Sequence, residues 1–269
     1  MPASSPTSQE LLRGGRLTEA LAALQMEIRL RPEDPRLRVF LFQFNCVLGR
    51  WEKALDQLQV VAALDAEMAM LAQIFRPVIA CELFRRDVFT GKRTALIFGD
   101  PPEWVGAMVQ ALALQAAGNT EAAAALRDQA LGASPSTPGT LDGAPFDWIA
   151  DADGRLGPLL EVILDGKYYW IPFTRIMRIE LEKPTDLRDL VWAPARFTWT
   201  NGGAASGHIP VRYPGTEDTA DDSLRLGRRT EWKEVGPNYQ TGLGQRLLVT
   251  DAGDYPLLDC RTIDFSPPL

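Results

Sequence analysis

At 269 residues, 46% of them apolar and 23% charged, the chain is long enough for one large or two modest folded units and too apolar to stay disordered. Its 28 Lys and Arg against 35 Asp and Glu give a net charge of −7. With no basic block, the sequence excludes nucleic acid and anionic membrane surfaces as expected partners, since both need clustered cations. Residues 1–137 carry 14 basic and 15 acidic side chains and residues 138–269 carry 14 and 20, so the acidity lies mostly in the second half. Cys46, Cys81 and Cys260 form no CxxC pair and read as reduced core thiols. The polar first residues show no secretory apolar core, and no apolar run nears the roughly 18 residues of a membrane span. A cytoplasmic location is expected.

In chain order, the first signal is a repeat. Gly15-Arg16-Leu17-Thr18-Glu19-Ala20-Leu21 recurs as Gly49-Arg50-Trp51-Glu52-Lys53-Ala54-Leu55, an offset of 34 residues, the period of a tetratricopeptide helical hairpin. A third, weaker copy starts at Gly118 with Ala123 at the same spacing, and Pro135 follows Gly118 as Pro32 follows Gly15. Gly ends one helix in a left-handed conformation, the large residue two positions on packs under the turn, and the small Ala lets the helices approach. Pro stops the second helix.

Residues 68–89 read as one long helix, with Leu71, Ile74, Phe75, Val78, Ile79, Leu83 and Phe84 at helical spacings and Pro77 as a kink or break. Residues 91–102 read as a loop, and residues 103–115 and 121–131 as a closing hairpin. Such arrays present a concave surface suited to a peptide or a partner helix. On the repeat register Arg36, Val39, Gln43, Cys46 and Val47 face that groove, while Phe42 packs between helices. Arg85 and Arg86, with Lys92 and Arg93, form the main basic cluster of this half and a candidate docking patch for an acidic partner.

Residues 132–143, rich in Ser, Pro, Thr and Gly, mark a boundary between a helical domain, 1–135, and a mostly β domain, 140–269. Met177, Ile179 and Leu181 alternate with polar residues, as do Phe197 and Trp199, which predicts strands. Residues 168–171 and 208–213 read as further strands. Residues 245–250 and 257–263 read as the arms of a hairpin around Asp251–Asp254. Residues 156–164 read as a helix, with another near 223–229. The fold class is therefore α+β: tetratricopeptide-like helices, then a small mostly β domain.

Catalytic, cofactor and metal residues are not expected. Asp147, Asp151 and Asp153 cluster before Gly154 but miss the calcium-loop spacing and read as a turn and helix cap. His208 is the only histidine; with Ser206 two positions away it makes no strained nucleophile elbow and reads as structural. No phosphate-binding GxxxxGK[ST] occurs, so nucleotide hydrolysis would belong to a partner. Of the seven tryptophans, most are expected in the core and at most one or two exposed.

Several strings in the second half carry a resemblance: Pro145-Phe-Asp-Trp-Ile-Ala-Asp-Ala-Asp-Gly-Arg-Leu-Gly-Pro158, Tyr168-Tyr-Trp-Ile-Pro-Phe173, Asp186-Leu-Arg-Asp-Leu-Val-Trp192, Arg228-Arg-Thr-Glu-Trp232 and Gly242-Leu-Gly-Gln245. With Phe98-Gly-Asp-Pro-Pro-Glu-Trp104 before them, they make the chain similar to the ImpE/TagJ family of bacterial type VI secretion accessory proteins, from about residue 8 to residue 263. The resemblance implies a non-enzymatic adaptor. Its implied partners are the N-terminal helix of the small sheath subunit and the ClpV-type AAA+ ATPase that recycles contracted sheaths. It fixes no single contact residue. A general tetratricopeptide scaffold, with the β domain as its main recognition surface, is the alternative.

Overall fold

The helical half is built from local turn chemistry. Helix α1 (Ser8–Arg13) starts on a capping box in which the Thr7 hydroxyl accepts from the Glu10 amide and the Glu10 carboxylate accepts from the Thr7 amide. Helices α2 (Leu17–Leu30), α3 (Pro35–Val47) and α4 (Trp51–Leu64) follow; Asp34 caps α3, and Pro35 fills its first position, where no amide is needed. The structure, a computed structural model, describes residues 6–65, 68–236 and 239–266, so the polar start at residues 1–5 lies outside it.

The repeat glycines behave alike. Gly15, Gly49 and Gly118 have φ of +74°, +64° and +85°. Behind them Ala20, Ala54 and Ala123 are buried, as are Leu17 and Trp51 under the first two turns. These turns differ in what surrounds them. A Cβ at Gly49 would lie 2.6 Å from the Glu217 Cβ, whereas nothing lies within 4 Å of one at Gly118. Gly118→Ala is expected to cost about 1 kcal/mol for the left-handed backbone alone. Gly49→Ala is expected to cost roughly twice that, because the β half must also shift. Urea unfolding of the two variants side by side checks the difference.

Helix α5 (Ala69–Phe89) runs 21 residues, straight through Pro77. The segment after it is not wholly loop: β1 (Leu96–Ile97) pairs in parallel with a strand of the second half. Helices α6 (Glu103–Ala116) and α7 (Thr120–Ala133) form the expected last hairpin.

The second half contributes β2 (Gly139–Leu141), β3 (Ala144–Phe146), β4 (Ile149–Asp151), β5 (Leu159–Leu164), β6 (Lys167–Pro172), β7 (Ile176–Leu181), β8 (Trp192–Trp199) and β9 (Ala204–Pro210). After these come the short helix α8 (Asp222–Arg225), β10 (Thr230–Gly236), β11 (Tyr239–Gly244), β12 (Leu247–Thr250), β13 (Gly253–Pro256) and β14 (Thr262–Phe265). A nine-stranded sheet runs β1-β6-β5-β9-β8-β7-β14-β2-β3, beside a β10-β11 hairpin and a β13-β12-β4 sheet. The chain is thus α+β, with helices first and strands after.

Two expectations fail here. Residues 156–164 are not a helix: Leu159–Leu164 is a central strand buried at every position, and a strand covered on both faces shows no alternation to distinguish it from a buried helix. The hairpin around Asp251 closes onto Gly253–Pro256, not onto residues 257–263; Thr262–Phe265 instead joins the large sheet between β7 and β2. In β7 the pairing slips at Met177, between Ile176 and Arg178, so Ile176, Ile179 and Leu181 are the buried positions.

The two faces of the large sheet are buried differently. Leu160, Val162, Ile179, Phe197, Ile209 and Ile263 belong to a core within the β half. On the opposite face Leu159, Ile163, Tyr168, Trp170 and Trp192 share one continuous core with α2–α6, including Leu24, Trp51, Leu58, Phe75 and Val105. Trp192 meets Trp51 at 5.9 Å and Phe75 at 5.8 Å between ring centroids. Five tryptophans are buried, and Trp148 and Trp232 are the exposed ones, 39% and 37% accessible.

Candidate functional site

The concave side of the repeat array is filled by the chain's own β half. Helix α3 packs against the 3-10 turn at Leu187–Leu190 and α5 against β6. Consequently the groove residues expected from the repeat separate into two groups. Cys46 and Val47 are fully buried, and their carbonyls accept hydrogen bonds from the Arg212 guanidinium at 3.3 and 2.6 Å. Burial holds the Cys46 thiol well above the usual range, hence protonated. Arg36, Val39 and Gln43 lie on the other end of the same helix face, with Arg36 exposed and Val39 half-buried.

Arg85 and Arg86 separate as well. Arg86 is exposed. Arg85 is interior: its Nε donates to Glu161 Oε1 at 2.5 Å, and its Nη2 donates to Glu161 Oε2 at 3.0 Å and to the Arg212 carbonyl at 2.8 Å. The basic docking patch expected around Arg85 is therefore reduced to Arg86 and its neighbours, because the Arg85 charge is consumed inside. Arg246 also donates to Glu161, to Asp151 and, at 2.9 Å, to the Pro210 carbonyl; the Tyr168 hydroxyl donates to Glu161 too. Burial opposes the Glu161 charge, but Arg85 and Arg246 overcome it and hold the carboxyl at about 2.

The aspartates before Gly154 join this network rather than capping a helix. Asp151 binds Arg246, Asp153 binds Arg155 at 2.5 Å, and Asp153 Oδ2 accepts from the Gly242 amide at 2.9 Å; Asp147 is exposed. Among the described residues no group of three or more His, Cys, Asp or Glu is arranged to hold a metal. His208 sits against the Phe75 ring at 5.7 Å, and burial lowers its pKa.

Beyond Cys46 the concave face opens. There an apolar trough of about 400 Å³ is floored by Leu12 of α1, Phe40 of α3, and Leu187, Leu190 and Leu226 of the β half. Buried Gln43 also lines it, and the exposed Arg13 and Arg228 stand at its rim. The Arg228 guanidinium is fixed by donating to the Leu12 and Arg13 carbonyls, both at 3.1 Å, which satisfies the end of α1. Of the residues expected from sequence only Gln43 lines the trough; Arg36 and Val39, nearer the start of α3, do not. Such a trough suits apolar side chains at helical spacing; of the charged groups that line it, Asp186 is already paired with Arg188, which leaves Arg13 and Arg228 to meet an acidic flank. Leu187, Leu190, Leu226 and Arg228 were not expected there, although all but Leu226 fall within the strings Asp186–Trp192 and Arg228–Trp232.

A helical repeat array closed by its own β half, with one open apolar end, defines a tetratricopeptide-like α+β protein. A family model described as ImpE protein matches residues 143–264. Over 260 residues the chain is 50% identical to the type VI secretion system accessory component TagJ of Pseudomonas aeruginosa, covering 97% of this chain and 91% of that protein. The crystal structure of protein VPA1032 from Vibrio parahaemolyticus shares the fold at a TM-score of 0.88 and 26% identity, over 97% of this chain and 98% of that one. The chain belongs to the ImpE/TagJ family. None of its helices is long and apolar enough, among the described residues, to cross a membrane.

Proposed function

We propose that this protein is a non-enzymatic, cytoplasmic accessory adaptor of the bacterial type VI secretion system. It holds the N-terminal helix of the small sheath subunit in the trough between α1, α3 and residues 184–190, and through that contact it is linked to sheath recycling by a ClpV-type ATPase. The observation that carries the reading is the trough itself, a preformed apolar floor with Arg13 and Arg228 at its rim. The likeness to a protein named as a type VI accessory component supplies the setting. The interior half of the predicted groove is closed, so binding concentrates at this open end.

The test uses the full-length small sheath subunit and a form lacking its N-terminal helix. Capture of the first and not the second supports the reading, and equal capture sinks it. Phe40→Glu with Leu190→Glu, both half-buried at the trough, is expected to weaken binding by at least about tenfold, or about 1.4 kcal/mol, with the fold intact by circular dichroism. The alternative, recognition mainly through the β region, predicts little effect of Phe40→Glu alone.

A further inference from the structure

We propose that the outer edge of β10 and the cleft it shares with α7 form a second docking surface, one that takes an extended, cationic peptide as an added strand. Strand β10 pairs with β11 and, among the described residues, with no other strand. Among the described residues, no backbone group of residues 231–236 finds a backbone partner outside that ladder. Residues 231–234 are exposed, and Trp232 is braced against the Tyr213 ring at 5.6 Å. An edge of this length is ordinarily covered, bulged away or charged, since it is a template for another chain; β10 itself carries exposed Glu231, Lys233 and Glu234, a net negative set that disfavours an acidic strand and admits a cationic one. Here the pairing shifts only near its end, between Glu234 and Gly236.

The neighbouring cleft, about 480 Å³, has walls that suit a backbone. Ala124 and Ala125 of α7 stand opposite Val235 and Tyr239, and their single methyl groups leave room for a close main chain. The wall is held in place: the Arg127 guanidinium lies 3.6 Å over the Tyr239 ring, and the Tyr239 hydroxyl donates to Gln115 Oε1 at 3.1 Å. Charge selects the occupant. Glu121 and Asp128, two turns apart on one face of α7, line the cleft, are exposed and form no ion pair among the described residues. The nearby Arg127 is committed to Tyr239 and Gln115. A strand with lysine or arginine at alternate positions would set those cations toward α7 while its amides complete β10. This surface lies apart from the trough, and neither depends on the other.

The test uses the whole protein and a fluorescein-labelled eight-residue peptide alternating lysine with valine, read by fluorescence anisotropy. Saturable binding is expected. It should fall at least tenfold in Glu121→Lys/Asp128→Lys, whose melting temperature should match the parent because both sites are exposed. It should fall equally when glutamate replaces the peptide's lysines. Methylating alternate peptide amides is expected to abolish binding in one register and to spare it in the other, because only one set of amides faces β10. Equal response of the two registers, unchanged affinity in the charge-reversed protein, or no saturation by about 1 mM peptide overturns the proposal. Tighter binding of a helix-forming lysine–alanine peptide, or a dimer of this chain that the same charge reversal dissociates, overturns it in favour of those occupants.

Discussion

Glu161→Gln is expected to destabilise the fold by roughly 3–5 kcal/mol, the cost of leaving buried charge uncompensated. The carboxylate sits between Arg85 and Arg246, and both guanidiniums and the carboxylate are withdrawn from water. Glutamine keeps the shape but removes the charge that neutralises the arginines, and its NH2 group points a donor at groups that are themselves donors. Arg85→Met in the same background removes one stranded cation and is expected to recover part of the loss, the sign of direct coupling. Acid titration gives an independent reading. Glu161 is held near 2 against an ordinary 4.5, so its contribution is full above about pH 4.5 and is lost as pH falls toward 2, about 3 kcal/mol in all. Asp151 works in the opposite sense: burial, only partly offset by Arg246, pushes it up to about 6 from 3.8, so stability is lost as pH rises between those values. Urea midpoints from pH 2 to 7 should show the low-pH slope in the parent and a flattened one in Glu161→Gln. An unchanged slope would remove Glu161 from its assigned role.

The network also explains which parts of the structure can be read from sequence. Helical hairpins are readable because their turns are local: Gly15, Gly49 and Gly118 each supply the left-handed residue their own turn requires. The ends of those same helices are not. The first amide of α2, at Leu17, donates to Asp222 at 3.0 Å, and no side chain at Arg16 caps the helix. The last carbonyls of α3 accept from Arg212, and those of α1 from Arg228. Caps drawn from some 200 residues away leave no trace in a local window. Strand β5 is hidden for a related reason, since Glu161 in the middle of an apolar run resembles the polar face of a helix until Arg85 and Arg246 are known to neutralise it. The repeat register proposes a groove face for α3, and of the residues on it Gln43 lines the trough. It carries no information that the second half of the chain occupies the face at Cys46 and Val47, or that Leu187, Leu190 and Leu226 complete the trough.

That mutual dependence is sharpest at Trp192. The indole is 1% accessible and stands where α4, α5 and the sheet meet, against Trp51 and Phe75. Its Nε1–H donates to Glu82 Oε1 at 2.7 Å, and Glu82, whose pKa is raised by burial, has as its other side-chain partner among the described residues Arg85 at 3.4 Å. Trp192→Ala removes the ring and the donor together and is expected to cost about 4–6 kcal/mol: roughly 3–5 for the cavity, and at least about 1 more for a buried acceptor left short of a partner. Trp192→Phe separates the two terms. It keeps most of the apolar contact and loses the hydrogen bond, so a cost of about 1–3 kcal/mol is expected. Because the ring belongs to the core shared by both halves, the parent should unfold in one transition when followed by far-ultraviolet circular dichroism and by tryptophan fluorescence. Two separated transitions in the parent, with the helical signal surviving the first, would mean that the halves are stable independently and that the shared core is not what joins them.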